Sequence, residues 1–137
     1  MAETLQFSLV SPERELFSGQ VEQVDAPGVE GEFGVLPRHS PFMTTLKPGV
    51  VRIYENGKVI PVFVRGGFAD VTPQGFTILA EEAVRLEDVD AAQLDTQIAN
   101  ARSDATDPGD EGRRTRAKER LDYLEALKAA VGGAKAH

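Results

Sequence analysis

Val50-Val51-Arg52-Ile53-Tyr54-Glu55-Asn56-Gly57-Lys58-Val59-Ile60-Pro61-Val62-Phe63-Val64 sets the dipeptide Asn56-Gly57 between two runs of β-favouring residues. Asn-Gly readily supplies the two positive-φ positions of a type I′ turn, whose twist matches that of the strands it joins. Counting outward from the turn places Glu55 opposite Lys58, Tyr54 opposite Val59 and Ile53 opposite Ile60. One face then carries Val51, Ile53, Ile60, Val62 and Val64 and has to be covered.

The same period runs to about Glu87. Leu5, Phe7 and Leu9 alternate with Gln6 and Ser8; Val21 and Val24 bracket Glu22 and Gln23; Phe76, Ile78 and Ala80 alternate with Thr77 and Leu79. Thr72-Pro73-Gln74-Gly75 reads as a second tight reversal. Short strands cut by Gly, Pro and Asn predict an antiparallel sandwich or barrel over residues 1–87.

After Glu87 the period becomes helical. Ala91, Leu94, Ile98, Ala101 and Ala105 follow spacings of three and four, with Asp88 or Asp90 placed to cap the start. Asp107-Pro108-Gly109-Asp110 breaks this helix. A second stripe, Ala117, Leu121, Leu124, Leu127 and Val131, is expected to stop at Gly132-Gly133, leaving a short flexible tail. Residues 88–137 therefore read as a two-helix antiparallel hairpin. Its large apolar residues are few, so it is expected to lean on the sandwich, on a partner, or on each in turn.

The chain has 137 residues, room for one domain or a small domain with an appendage. Its 15 basic and 22 acidic residues give a net charge of −7, which repels a phosphate backbone and argues against nucleic acid as a partner. With no cysteine there are no disulfides, thiolate nucleophiles or sulfur-ligated zinc. The N-terminal residues lack a signal-peptide pattern, and no stretch of about 18 apolar residues occurs, so direct membrane insertion is not expected.

Catalytic arrangements are sparse. His39 is the one internal histidine, and adjacent Ser40 would point away from it on an extended segment. Gly28, Gly31 and Gly34 recur at the wrong spacing for a dinucleotide loop. Glu81-Glu82 reads as a strand end rather than a carboxylate pair. No metal site or cofactor is expected. Two features remain. Residues 31–42, Gly-Glu-Phe-Gly-Val-Leu-Pro-Arg-His-Ser-Pro-Phe, combine glycines that can take unusual backbone angles with prolines that fix theirs, which predicts a stiff loop exposing a carboxylate and an imidazole. Arg113, Arg114, Arg116, Lys118 and Arg120 open the second helix, where positive charge opposes the macrodipole.

Residues 31–42, together with Lys47-Pro48-Gly49, Arg65-Gly66-Gly67-Phe68-Ala69-Asp70-Val71 and Leu79-Ala80-Glu81-Glu82-Ala83, resemble the epsilon subunits of bacterial F-type ATP synthases over essentially the whole chain. The resemblance implies a ten-stranded β-sandwich followed by two helices, in a non-catalytic rotor subunit. Such a subunit joins gamma to the c-subunit ring of the proton-translocating synthase. It sits peripherally at the cytoplasmic face of the bacterial inner membrane, held by protein contacts.

The resemblance further implies ring-facing positions at Glu32, Arg38 and His39. It also implies a mobile hairpin whose basic residues, here Arg113, Arg114, Arg116, Lys118 and Arg120, meet the beta and alpha subunits when extended and slow hydrolysis. Some relatives bind ATP through an Asp-x-x-Arg-Ala pattern at the first helix. Here Asp90 is present, but uncharged Gln93 replaces the arginine, so nucleotide binding is expected to be weak or absent. Two competing readings are a free-standing ligand-binding sandwich, which needs an aromatic-lined pocket, and an enzyme using Glu81, Glu82 or Glu32 with His39.

Overall fold

Ten strands precede two helices in the computed structural model, which describes residues 3–135 and their side chains through residue 133. The strands are β1 (Leu5–Val10), β2 (Glu15–Val21), β3 (Gln23–Gly28), β4 (Gly31–Val35) and β5 (Phe42–Leu46), then β6 (Gly49–Glu55), β7 (Lys58–Val64), β8 (Gly67–Thr72), β9 (Gly75–Ala80) and β10 (Ala83–Arg85). A single turn of 3₁₀ helix, Leu86–Asp88, leads to α1 (Ala91–Ala105) and α2 (Glu111–Lys135). The chain divides into two compact units, residues 1–87 and 88–137.

In the first unit Asn56 and Gly57 take φ values of 52° and 79°. The β6–β7 register places Glu55 opposite Lys58 and Ile53 opposite Ile60, the pairing the turn dictates. Thr72 and Gly75 likewise face each other across the β8–β9 turn. The strands form one sheet in the order β10-β7-β6-β3-β5-β8-β9-β1-β2, with β4 attached to β3. The ladder between β3 and β5 consists of a single pair, Gly28 opposite Leu46. At that point the sheet folds over, and the inward residues of both layers, among them Phe7, Leu9, Val24, Ile53, Val62, Phe76 and Ile78, make one core.

The sandwich is antiparallel except for β1 and β9, which run parallel with Phe7 opposite Phe76 and Leu9 opposite Ile78. Some 65 residues separate those strands, so no turn specifies their relative direction. Gly67 opens β8 opposite Ala80 of β9 with φ of 135°, where a Cβ would collide with the Leu79 carbonyl oxygen. The two ends of the strand order, β10 and β2, are joined by the Arg85 guanidinium, whose Nη2 donates to the Leu16 carbonyl at 2.8 Å.

In the second unit Asp90 caps α1, its carboxylate accepting the Gln93 N–H at 3.1 Å. Lys128 pairs with Asp95 and Arg102 with Glu125, each at 2.9 Å, and Arg113 with Asp104 at 3.5 Å. This order of contacts makes the helices antiparallel. Two details depart from expectation. Leu121 is only half-buried, while Tyr123 is buried beside Leu124, Leu127 and Val131, so the stripe is centred on a neighbouring line of the helix. Gly132 and Gly133 do not stop α2, which continues to Lys135; glycine weakens a helix interior by about 1 kcal/mol but does not forbid it. His137 lies outside the described residues.

The Arg85 bridge generates a prediction. A hydrogen bond from a charged donor contributes roughly 1.5–3 kcal/mol, so Arg85→Ala is expected to lower the unfolding free energy by about 1–2 kcal/mol in urea titration. Arg85→Lys recovers only part of that, because an ammonium lacks the reach of the guanidinium fork. A wild-type midpoint for Arg85→Ala would mean that packing alone holds β2 to β10.

Candidate functional site

In the segment from β4 to β5 the backbone constraint falls on Gly31 and Pro37, as the sequence suggests, and on Arg38, which it does not. Gly31 takes φ of 136°, whereas Gly34 does not adopt a positive φ; it is small because a Cβ there would lie 2.9 Å from Asp25 Oδ1. The left-handed residue in the loop is Arg38, at φ of 66°. The His39 N–H donates to the Leu36 carbonyl at 3.1 Å, closing a turn with Pro37 second and Arg38 in the third position, where glycine is usual. The Arg38 guanidinium reaches Glu3 at 2.8 Å and is otherwise exposed.

His39 Nδ1 lies 2.6 Å from its neighbour's carbonyl, Ser40 O, and therefore carries the proton there; no hydrogen bond joins it to the Ser40 hydroxyl. Its ring meets Phe42 at 6.2 Å between centroids, Phe42 meets Phe33 at 5.2 Å, and Phe33 meets the core ring of Phe76 at 6.3 Å. A line of aromatic contacts thus anchors the exposed imidazole in the sandwich core.

Glu32 projects from β4 into a polar cluster on the outer face of β4, β3 and β6. Arg52 Nη1 approaches it at 3.6 Å. Asp25 accepts from the Tyr54 hydroxyl at 2.8 Å and from Gln23 Nε2 at 2.7 Å. The hydrogen bond to Asp25 raises the Tyr54 pKa above its usual 10.0, with burial and the Asp25 charge acting in the same direction.

Other candidate chemistry does not assemble. A groove of about 620 Å³ runs beside Leu36, Arg38 and His39 and is lined chiefly by polar residues such as Gln6, Gln20 and Gln74, with no Phe or Tyr. The aromatic-lined pocket needed for a ligand-binding sandwich is not formed there. Glu81 and Glu82 lie at the end of β9, and Glu82 pairs with Arg65 at 3.4 Å, the strand-end position expected of them. Among the described residues no group of His, Asp and Glu is arranged to hold a metal ion.

A third surface feature was not legible from periodicity. On the outer face of β5, β8 and β9, Phe68 stands opposite Leu79, and Met43 lies one diagonal step away. They are 37%, 55% and 62% exposed, a contiguous apolar strip on a sheet whose other face is already buried.

Residues 4–86 match the family model described as ATP synthase, Delta/Epsilon chain, beta-sandwich domain. The chain belongs to the ATP synthase delta/epsilon family. It is 56% identical over 134 residues to the ATP synthase epsilon chain of Hyphomonas neptunium and 50% identical over 132 residues to that of Parvibaculum lavamentivorans, covering 96% of this chain in each case and 98% and 100% of those relatives. Among solved structures, a chain of the Euglena gracilis mitochondrial ATP synthase OSCP/F1/c-ring assembly superposes with a TM-score of 0.76 at 30% identity, covering 93% of this chain and 81% of that one. A chain of the Tetrahymena thermophila central stalk and c-ring shares the fold at a TM-score of 0.60 and 15% identity, covering 94% and 97%.

The delta/epsilon family model ends before the hairpin, whose basic residues are separated by their environments. Arg113 pairs with Asp104, Arg114 Nη1 donates to the Asp107 carbonyl at 3.0 Å, and the Arg120 guanidinium lies 5.0 Å from the Tyr123 ring centroid. Arg116 and Lys118 are exposed. Asp110 accepts from the Gly112 N–H at 2.9 Å, and Glu111 occupies the first turn, so acidic groups at the start of α2 offset part of the repulsion between cluster and macrodipole. Asp90 is used as the cap of α1, and Gln93 is exposed.

Two outcomes follow from this geometry. Relief of left-handed strain offsets the lost ion pair and the added chain entropy, so Arg38→Gly is expected to leave stability within about 0.5 kcal/mol of wild type, whereas Arg38→Val lowers it by roughly 1–2 kcal/mol in urea titration. Tyr54→Phe removes a hydrogen bond to a carboxylate and is expected to cost about 1–2 kcal/mol at neutral pH. Because the folded pKa of Tyr54 is raised, its contribution is complete below pH 10.0 and is lost as the pH rises through the folded value. The gap between wild type and Tyr54→Phe should therefore close in alkaline denaturation curves, and a constant gap would exclude this hydrogen bond as its source.

Proposed function

We propose that the chain is the central-stalk subunit joining gamma to the c-subunit ring of a proton-translocating F-type ATP synthase. The observation that carries this reading is the likeness of both units, over 96% of the chain, to bacterial ATP synthase epsilon chains. It is a component of the complex rather than a catalytic subunit, and it works without an active site of its own.

A subunit that transmits torque needs a docking edge that does not yield. Strand β4, with Glu32, and the loop after it, with Arg38 and His39, supply one, because the imidazole is tied through Phe42 and Phe33 to the core. These three residues face the ring. The apolar strip Met43, Phe68 and Leu79 receives gamma, since burial of such a surface provides the non-directional attraction that a permanent partner exploits. The hairpin is a regulatory, mobile unit. When extended, it brings Arg113, Arg114, Arg116, Lys118 and Arg120 to acidic surface on the beta and alpha subunits and slows hydrolysis. No helix among the described residues is long and apolar enough to cross a membrane. Protein contacts hold the chain peripherally at the cytoplasmic face of the bacterial inner membrane.

The test compares the full chain with one lacking residues 88–137, each co-expressed with the remaining synthase subunits. The shortened chain is expected to co-purify with gamma and the ring while the rate of ATP hydrolysis rises. Failure of the full chain to co-purify overturns the stalk assignment, and an unchanged hydrolysis rate with intact assembly overturns the inhibitory role of the hairpin.

A further inference from the structure

Glu32 lies on β4, a strand whose ladder is to β3 and which stands off the main strand order. Its carboxylate is 63% exposed, and such a side chain explores several rotamers unless something holds it. The group that reaches it, Arg52, comes from β6, on the far side of β3. Between them stands Asp25, whose backbone partners are Gly34 on one side and Arg52 on the other.

The row is shaped for this contact. Asp25 accepts from Gln23 on Oδ1 and from Tyr54 on Oδ2, so its carboxylate adds negative potential beside Arg52, its cross-strand neighbour, while its own hydrogen bonds run to those two side chains. Gly34 leaves open a hollow of about 250 Å³ bounded by Asp25, Glu32, Phe33 and Arg52. A Cβ at Gly34 would crowd Asp25 Oδ1 at 2.9 Å. Arg52 is thereby set between two carboxylates and reaches the one that projects outward.

We infer that Arg52 is a positioning residue for the ring contact, holding the Glu32 carboxylate in one orientation so that docking on the c-subunit ring does not have to order it. This rests on the reading of Glu32 as a ring-facing residue. An unrestrained carboxylate would lose rotamer freedom on docking, and the Arg52 pair removes that loss beforehand.

The test uses membrane vesicles carrying the assembled synthase and measures how fast the chain is released on washing at low ionic strength. Glu32→Gln and Arg52→Gln are each expected to speed release about two- to fivefold, the range of an exposed ion pair. The double variant Glu32→Gln/Arg52→Gln is expected to release no faster than Glu32→Gln alone, since Arg52 acts through Glu32. Arg52→Lys, which keeps the charge, stays near the wild-type rate. Wild-type release of Arg52→Gln, additive loss in the double variant, or release of Arg52→Lys as fast as Arg52→Gln overturns the positioning role and leaves the ring reading standing. A silent Glu32→Gln overturns both.

Discussion

Gly28 opposite Leu46 is the contact at which a sheet of ten strands becomes two layers. A Cβ on Gly28 would meet the Gly31 carbonyl oxygen at 2.8 Å and the Phe33 ring at 3.1 Å. The missing side chain therefore does two things at once. It lets β3 hand over from β6 to β5, and it lets the short β4 turn back tightly enough for Phe33 to reach the core. The inward faces of both layers become a single apolar interior only because the sheet can fold there.

That fold-over also determines where function can reside. No charged side chain is buried among the described residues, so their Asp, Glu, Lys and Arg groups all act at the surface. The sandwich offers two surfaces of different kinds. One is the rim of the β4–β5 loop, where polar groups are held by backbone constraint and by a line of aromatic rings. The other is the strip of Met43, Phe68 and Leu79 on the reverse of a sheet already packed on its inner side. A polar rim and an apolar strip on one rigid body suit two partners that must turn together.

The hairpin follows a different physical logic. Its helices are laced by ion pairs between exposed side chains, each worth at most about 1 kcal/mol and weakened by salt, beside a narrow apolar seam. Those charged contacts therefore add little to the hairpin's stability. The sandwich is held instead by core packing and by Arg85 on Leu16.

Turns, strand alternation and the cap of α1 were legible in the amino-acid order because each depends on residues within a few positions of one another. Asn56-Gly57 set its own register, Thr72 to Gly75 its own reversal, and Asp90 its own helix start. Glu32 and His39 could be picked out as exposed groups on a stiff loop for the same local reason. The parallel pairing of β1 with β9, the Arg85 bridge, the outward strip of Met43, Phe68 and Leu79, and the approach of Arg52 to Glu32 across β3 join residues distant in the chain. Local periodicity carries no record of which strands become neighbours. Arg38 shows the limit most plainly: no propensity assigns an arginine to a left-handed turn position, and it is there because β4 and β5, anchored by the core on either side, leave the connecting loop no other path.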